Sequence, residues 1–575
     1  MEGRVKMFDM KAKPFNLNDA DIKWVQNTFD GMTEEEKIQQ LFFPALWDFT
    51  EEYMDDILGQ IHPAGVMFRP CDARTAIAAT NYLQKKAKIP LLISANMEKG
   101  GNGIVTEGTY LGAPMALAAT RDVENARRLG RLCAREGKAV GANWAFAPII
   151  DIDYNFRNPI MNTRTFGSDP ELVAEFGKAY TEECQKGGLA VSIKHFPGDG
   201  RDERDQHLVV GVNDLDCDTW MNTYGKVYKA SIDAGALTVM TAHIMQPAWS
   251  KRINPKIRDE EIMPASLSKE MIGKDGLLRK VLGFNGLIVT DATTMTGFMQ
   301  PMERQKAVPY SIEAGADIFL FNRNISEDLE YMREGLKEGI LSRERLEEAV
   351  LRILCLKAAL KLHREKQEFN ADRALTILGC EEHKQWANKV ADQAITLVKE
   401  EKSVLPLNPQ KKHILFYPIQ GEAGYQGSAY AVKSGVCEKF KAMLEKEGFK
   451  VDIFVPSPMF EGATPRVDEI SSKYDYIIYL ANLTTKSNQT IVRIEWQQPM
   501  GANCPTYINC VPTIFISVEN PYHLLDVPRV KTYINTYDSE DCMLVNLVEK
   551  LMGRSEFKGR SPVDAFCGKW DAHLS

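Results

Sequence analysis

The chain has 575 residues, of which 44% are hydrophobic and 26% charged, with a net charge of -8 and a pI near 5.8. This balance excludes a disordered chain, which needs lower hydrophobicity and a larger charge imbalance. The acidic excess argues against gripping nucleic acid or anionic lipid, both of which need a basic surface.

Through residue 362, short apolar runs alternate with amphipathic stretches. The runs at 64–68, 91–95, 146–152, 191–195, 238–243, 287–291 and 317–321 read as buried parallel strands. The stretches at 123–136, 171–187 and 218–234 read as helices between them. Strand followed by helix, repeated seven or eight times, predicts an α/β fold with a TIM-type (β/α)8 barrel rather than an open sheet. Seven strands are located in this way, and the eighth has no placement. A helix at 343–362 closes the region, and the charged segment 364–372 reads as a linker.

A second α/β unit starts near Glu382. Its strands are predicted at 394–398, 413–417, 451–455, 476–481, 513–518 and 530–535, with helices at 431–447 and 544–552. The expected organisation is a barrel over residues 1–365, a linker over 366–381 and a C-terminal α/β sandwich over 382–575. The second unit is read as packing support, a homodimer surface or a contributor to the substrate cleft.

No run of roughly 18 apolar residues occurs, so no membrane-spanning helix is expected. The first residues mix Glu2, Arg4, Lys6, Asp9 and Lys11 with single apolar residues, so no signal peptide is read there. Eleven cysteines, an odd number without a CxxC pair, imply reduced thiols and a cytoplasmic setting.

Ionisable and polar residues collect where strands finish: Asn96 and Glu98, Asp151 and Asp153, Lys194 and His195, His243, and Asp291. A core has no use for so many such groups, whereas the carboxyl end of a barrel is where active sites are built. The densest segment is Lys194-His195-Phe196-Pro197-Gly198-Asp199-Gly200, followed by Asp202, Glu203, Asp205 and His207. A carboxylate two residues from a histidine raises the imidazole pKa and selects its tautomer, which suits general acid–base work. The plain alternative is a hydrated loop with a surface histidine. Asp291 ends a hydrophobic strand as a nucleophile, a metal ligand or a helix N-cap. Arg164 either reaches over the barrel mouth or makes a surface ion pair. No metal or cofactor is required, although His195, Asp205 and His207 are types that bind metals. The run Gly424-Tyr425-Gln426-Gly427-Ser428 lacks the Lys-Ser/Thr of a phosphate loop and reads as a turn.

Together these segments resemble glycoside hydrolase family 3, and within it the β-N-acetylglucosaminidases. The resemblance rests on 143–151 (NWAFAPIID), 164–167 (RTFG), 194–198 (KHFPG), Asp205-Gln206-His207 and 241–247 (TAHIMQP). It continues in 264–268 (PASLS), 284–291 (FNGLIVTD), 314–317 (AGAD) and 394–407 (AITLVKEEKSVLPL). It implies Asp291 as nucleophile, an Asp205–His207 acid–base dyad, and Lys194, His195 and Arg164 as ligands of the first sugar, with Asn96 and Glu98 beside them. It implies a retaining, exo-acting enzyme on terminal β-linked N-acetylhexosamine, and peptidoglycan recycling as its setting. Phosphorolysis of an N-acetylglucosaminide or glucoside, a β-glucosidase, and a sugar-binding protein without catalysis are the alternatives. Two positions depart from the family pattern. Asn96 stands where a carboxylate is usual, and Asp199 replaces a second histidine.

Overall fold

The computed structural model describes residues 8–364, 368–401, 404–421, 435–455, 466–496, 498 and 501–574. They divide into two compact units. The first comprises Met1–Tyr110, Ala126–Ile152 and Pro170–Lys384, and the second Leu111–Asn125, Asp153–Asp169 and Gln385–Ser575.

The strands of the first unit are β1 (Phe42–Phe43), β2 (Ala45–Leu46), β3 (Gly65–Phe68), β4 (Leu92–Ala95), β5 (Trp144–Ala145), β6 (Ala190–Phe196), β7 (Gly211–Val212), β8 (Thr238–Thr241), β9 (Ile244–Met245), β10 (Leu287–Thr290) and β11 (Phe319–Leu320). Seven of them form one sheet in the order β10-β8-β6-β5-β4-β3-β2. A parallel bridge between Val289 and Ile318 carries β10 to β11, and β11 pairs in parallel with β1. Only Pro44 separates β1 from β2, so the pairings close into the expected barrel. The strand missing from the sequence reading is this one. Pro44 removes a ladder donor and cuts it into two pieces of 2 residues each, too short to show a period. The Pro44 carbonyl still accepts from the Met67 amide at 2.9 Å, which keeps the strand in register.

The run predicted at 146–152 is displaced. Its ladder lies at β5, and past Pro148 the backbone pairs with β6 through a bridge from Ile149 to Lys194. The helices predicted at 123–136, 171–187 and 343–362 occur as Glu124–Ala139, Pro170–Lys186 and Arg343–Ala359. The one predicted at 218–234 is broken into Cys217–Trp220 and Lys226–Asp233 by a π-type turn at Met221–Gly225. Side-chain caps set several starts: Thr50 accepts from the Tyr53 amide, Asp72 from Thr75, Asn324 from Glu327 and Ser342 from Arg345.

Phe43, Trp144 and Phe146 pack edge to face inside the barrel, with ring centroids 5.3 Å and 4.9 Å apart. The indole N–H of Trp144 donates to Thr238 Oγ1 at 2.9 Å, so this buried ring leaves no polar orphan. After β10 the chain is tied by a buried fork. Arg304 meets both carboxylate oxygens of Asp328 at 2.8 Å and donates to the Thr293 carbonyl at 2.9 Å.

The second unit holds β12 (Thr396–Lys399), β13 (His413–Gln420), β14 (Lys450–Ile453), β15 (Tyr476–Asn482), β16 (Thr513–Ser517) and β17 (Thr532–Asn535) in the order β12-β17-β16-β15-β13-β14. All six predicted strands are present, and only β12 runs antiparallel to its neighbour. Alternate side chains serve opposite faces. Ile414, Phe416, Ile478, Ile514 and Ile534 pack on one side, and Leu415, Ile477, Phe515 and Tyr533 on the other. On the second face the rings of Tyr417, Tyr479, Phe515 and Tyr533 stack across neighbouring strands at 4.3, 5.7 and 5.6 Å. The helices predicted at 431–447 and 544–552 appear as Val436–Lys446 and Asp541–Leu551. Residues 431–434 and the run 424–428 lie outside the described residues. Among the described residues no helix is long and apolar enough to cross a membrane.

Replacing Asp328 with Ala leaves the Arg304 guanidinium buried without its carboxylate. The variant is expected to lose about 3–5 kcal/mol of stability, read as a shift in the urea midpoint of the first unit.

Candidate functional site

Within the first unit, β4, β6, β8 and β10 deliver polar side chains at their carboxyl ends. β6 ends on Lys194, His195 and Phe196, and the chain then turns through Pro197 and Gly198. Gly198 has φ of 113°, and a Cβ there would lie 2.1 Å from Tyr224 Cδ1, so the turn requires glycine. Tyr224 in turn donates its hydroxyl to the Asp199 carbonyl at 2.7 Å, which holds the start of the following loop.

That loop carries the predicted dyad. His207 Nδ1 lies 2.6 Å from Asp205 Oδ1, and the His207 amide donates to the same oxygen at 2.9 Å. Asp205 is buried, and the His207 side chain keeps 28% of its surface. An ionised carboxylate can only accept, so Nδ1 carries its proton toward Asp205 and Nε2 is the nitrogen available for proton exchange. Gln206 was not singled out from the sequence, yet it anchors the pair. Its Oε1 accepts the His243 amide at 2.8 Å, and its carbonyl accepts the Gly297 amide at 3.2 Å. A Cβ on Gly297 would lie 2.6 Å from the Gln206 carbonyl oxygen, so this close approach also needs glycine. The only sequence signal for Gln206 is its place between two residues of interest.

Asp291 follows β10. Its Oδ1 accepts the Ala292 amide at 2.7 Å. The helix nearest in sequence, Thr296–Met299, has Met295 at its N-cap, so the capping alternative for Asp291 falls away. Burial pushes its carboxyl up, but the attraction of His195, His243 and His207 outweighs this, and the pKa is lowered below the ordinary carboxylate value. Three histidines from three parts of the chain therefore act electrostatically on one half-buried carboxylate.

His243 itself was noted in the sequence only as a polar strand end. It is buried, and desolvation pushes its pKa down. Its Nε2 lies 3.0 Å from the Ala292 carbonyl, which can only accept, and its Nδ1 lies 2.8 Å from Ser266 Oγ. These contacts assign the neutral tautomer with the proton on Nε2 and hold the backbone beside Asp291.

The residues expected around the first sugar lie in both units. Lys194 Nζ is 2.8 Å from Glu98 Oε1 and 3.4 Å from Asn96 Oδ1, with Lys194 and Glu98 side chains each 4% exposed. His195 Nδ1 is 2.7 Å from Asp151 Oδ2, and Asp151 also accepts the amides of His195 and Asp199. Asp199, at the departure from the family pattern, is thus held through its backbone, and its own Oδ1 accepts the Gly200 amide. Arg164 is buried on the turn Asn162–Arg164 within the second unit, where its Nη1 donates to the Ile160 carbonyl at 3.3 Å.

Such an arrangement can hold hydroxyls through Asn96, Glu98, Lys194 and His195, present a carboxylate as nucleophile, and move a proton at His207. Among the described residues the grouping with metal-ligand spacing lies elsewhere. It is Cys380, Glu382 and His383, with ligand atoms within 4.8 Å of one another, and His383 Nδ1 is 2.6 Å from Glu136 Oε1.

Comparison with known proteins gives the family. Residues 33–356 match the glycosyl hydrolase family 3 N terminal domain. A beta-N-acetylglucosaminidase/beta-glucosidase of Cellulomonas fimi is 47% identical over 99% of this chain and 100% of its own. The solved structure of a beta-glucoside phosphorylase, BglX, superposes with a TM-score of 0.91 at 46% identity, covering 98% of this chain and 99% of its own. A family 3 beta-N-acetylglucosaminidase from Paenibacillus sp. shares the fold, with a TM-score of 0.77 at 23% identity over 94% of this chain and 100% of its own.

Two outcomes follow from the geometry. Asp205→Asn leaves the shape but removes the carboxylate that selects the imidazole tautomer. With an alkyl or sugar leaving group kcat is expected to fall ~10²–10⁴-fold, and far less with a dinitrophenyl leaving group that needs no proton. Because the folded state favours ionised Asp291, its share of the activity is present above its lowered pKa and is lost only as the pH falls through it. The acid limb of kcat/KM assigned to this group should therefore lie below about 3.9, the value of a carboxyl in water.

Proposed function

The chain belongs to glycosyl hydrolase family 3 and is a glycosidase, and from this premise we propose that it cleaves terminal β-linked N-acetylglucosaminides and glucosides with retention of configuration. The observation that carries the reading is the 2.6 Å Asp205–His207 contact in the same unit as a half-buried Asp291 whose carboxyl is lowered by His195, His243 and His207.

In the first step an Asp291 oxygen attacks C1 and forms a glycosyl ester. The C1–O bond to the leaving group breaks, and His207 Nε2 gives its proton to the departing oxygen. Asp205 supports the imidazolium while Nδ1 keeps its own proton. In the second step an acceptor O–H loses its proton to His207 Nε2, attacks C1 from the opposite face, and the ester bond to Asp291 breaks. Asn96, Glu98, Lys194 and His195 are assigned to the sugar hydroxyls. Asn96 both donates and accepts, so hydroxyl binding survives the loss of the usual carboxylate. The pairing of N-acetylglucosaminide with glucoside follows the Cellulomonas fimi relative, whose name joins the two activities. The eleven free cysteines support a reducing, cytoplasmic setting for this chemistry.

A second reading concerns the acceptor. The similar phosphorylase structure favours phosphate over water in the second step. The physical reason is the base. A carboxylate 4 Å from an incoming phosphate costs about 4 kcal/mol per unit charge at an effective dielectric of 20, and an imidazole avoids this. Transfer to phosphate gives a sugar 1-phosphate, and transfer to water gives the free sugar.

The test is initial rate on nitrophenyl β-N-acetylglucosaminide and nitrophenyl β-glucoside, with and without phosphate, and product identity by phosphorus NMR. Turnover of both by the native enzyme is expected, with a loss of at least ~10³-fold in Asp291→Asn while sugar binding persists. Phosphate-dependent rates with a sugar 1-phosphate product assign phosphorolysis, and phosphate-independent rates assign hydrolysis. No turnover of any substrate would overturn the reading in favour of a sugar-binding protein.

A further inference from the structure

Trp47 is 63% exposed, although a tryptophan side chain gains more from burial than almost any other. It follows β2 directly, at the carboxyl end of the first barrel strand. Arg69 follows β3 directly in the same way, and the last pair in the ladder between these strands is Leu46 with Phe68. The Arg69 guanidinium lies 4.9 Å from the Trp47 ring centroid, a cation–π pair that holds an exposed ring in a set orientation. A Trp–Arg pair so placed has no part in the core, since the aromatic packing beneath it is supplied by Phe49 against Phe68 at 5.3 Å.

Its position relative to the reacting centre follows from the ring of pairings. β11 alone stands between the β1–β2 strand and β10, which ends at Asp291. Neighbouring strands are about 4.8 Å apart, and the pairings Val289–Ile318 and Leu320–Phe43 set Asp291 level with Phe43, so Trp47 rises from a point about 16 Å from Asp291, across and above it at the same barrel mouth. This is beyond the reach of a sugar whose C1 is at Asp291, and within reach of a second ring linked to it. The groups assigned to the sugar hydroxyls, Asn96 and Glu98 just after β4 and Lys194 and His195 on β6, are not part of this patch.

We propose that Trp47, oriented by Arg69, is the stacking platform for the leaving-group sugar. A β-linked pyranose offers an apolar face of C–H bonds, which suits an indole ring, and ring hydroxyls at its rim, which suit guanidinium N–H donors. The substrate class is then a disaccharide or longer β-linked saccharide, selected over glycosides whose leaving group has no ring. This inference rests on the retaining glycosidase reading and adds the recognition of its leaving group.

The experiment compares kcat/KM for a β-linked glucose disaccharide with kcat/KM for β-glucosyl fluoride, whose leaving group cannot stack. In Trp47→Ala the ratio of disaccharide to fluoride is expected to fall about tenfold, the equivalent of about 1.4 kcal/mol of stacking. In Trp47→Phe it should recover most of the way. An unchanged ratio would overturn the proposal, whether both rates fall together or neither does. If the native enzyme turns over neither substrate, the catalytic reading fails on its own. The platform is then decided by calorimetry of the same disaccharide on Asp291→Asn. Binding weakened about tenfold by the added Trp47→Ala supports it, and unaltered or absent binding overturns it.

Discussion

A carboxylate withdrawn from water must be met by donors or cations, and at the mouth of this barrel Glu98, Asp151 and Asp205 have been withdrawn. Glu98 is met by Lys194, Asp151 by His195 and two backbone amides, and Asp205 by His207 and its amide. Each of these contacts consumes a carboxylate's charge in orienting a neighbour. Asp291 is treated differently. Its close hydrogen bond is to the amide of Ala292, and its carboxyl is lowered by that bond and by the electrostatic pull of nearby histidines. No lysine or arginine ion pair to it is seen among the described residues. The division of labour among the acids thus follows from which partner each one has.

The scaffold makes this division durable. Gly198 and Gly297 permit approaches that a methyl group would block, and through them the loop with Asp205 and His207 is pressed against β8 and the segment after β10. Gln206 ties the same loop to His243, and His243 ties the backbone of Ala292. His207 and Asp291, which come from distant parts of the chain, are in this way held by one set of neighbours. The same rule of matched charge operates below the mouth, where the Arg304–Asp328 fork secures the segment that follows Asp291. In the second unit, by contrast, the central sheet is held chiefly by apolar faces and a ladder of stacked rings.

Much of this was legible in the residues. Long apolar runs bounded by Gly, Pro or polar groups located seven barrel strands and all six strands of the second unit, because a strand buried on both faces has to be continuously apolar. The eighth barrel strand escaped because Pro44 divides it, and a two-residue strand has no period to detect. The strand expected at 146–152 was displaced because apolarity reports burial and not pairing. Those residues are buried, but the ladder is made just before them. The interrupted helix at 217–233 has the same origin, since amphipathic spacing does not distinguish an α turn from a π turn.

For the site, the sequence by itself marked the candidate residues and roughly where the chain presents them. Asp205 and His207 are two apart, so their contact is a local matter of one loop, and acids at the ends of apolar strands announce themselves by their cost. Only the tertiary structure decided what those groups do to one another. Lys194 with Glu98, His195 with Asp151, and three histidines around Asp291 are meetings of strands separated by tens of residues, and no local pattern encodes the distance between them. The assignment of Arg164 to the second unit, and the standing of Trp47 beside Arg69 at the rim, were decided in the same way. The reason is physical. A side chain's cost of burial is written in its own chemistry, but the partner that offsets the cost is supplied by whichever strand the closed ring places next to it.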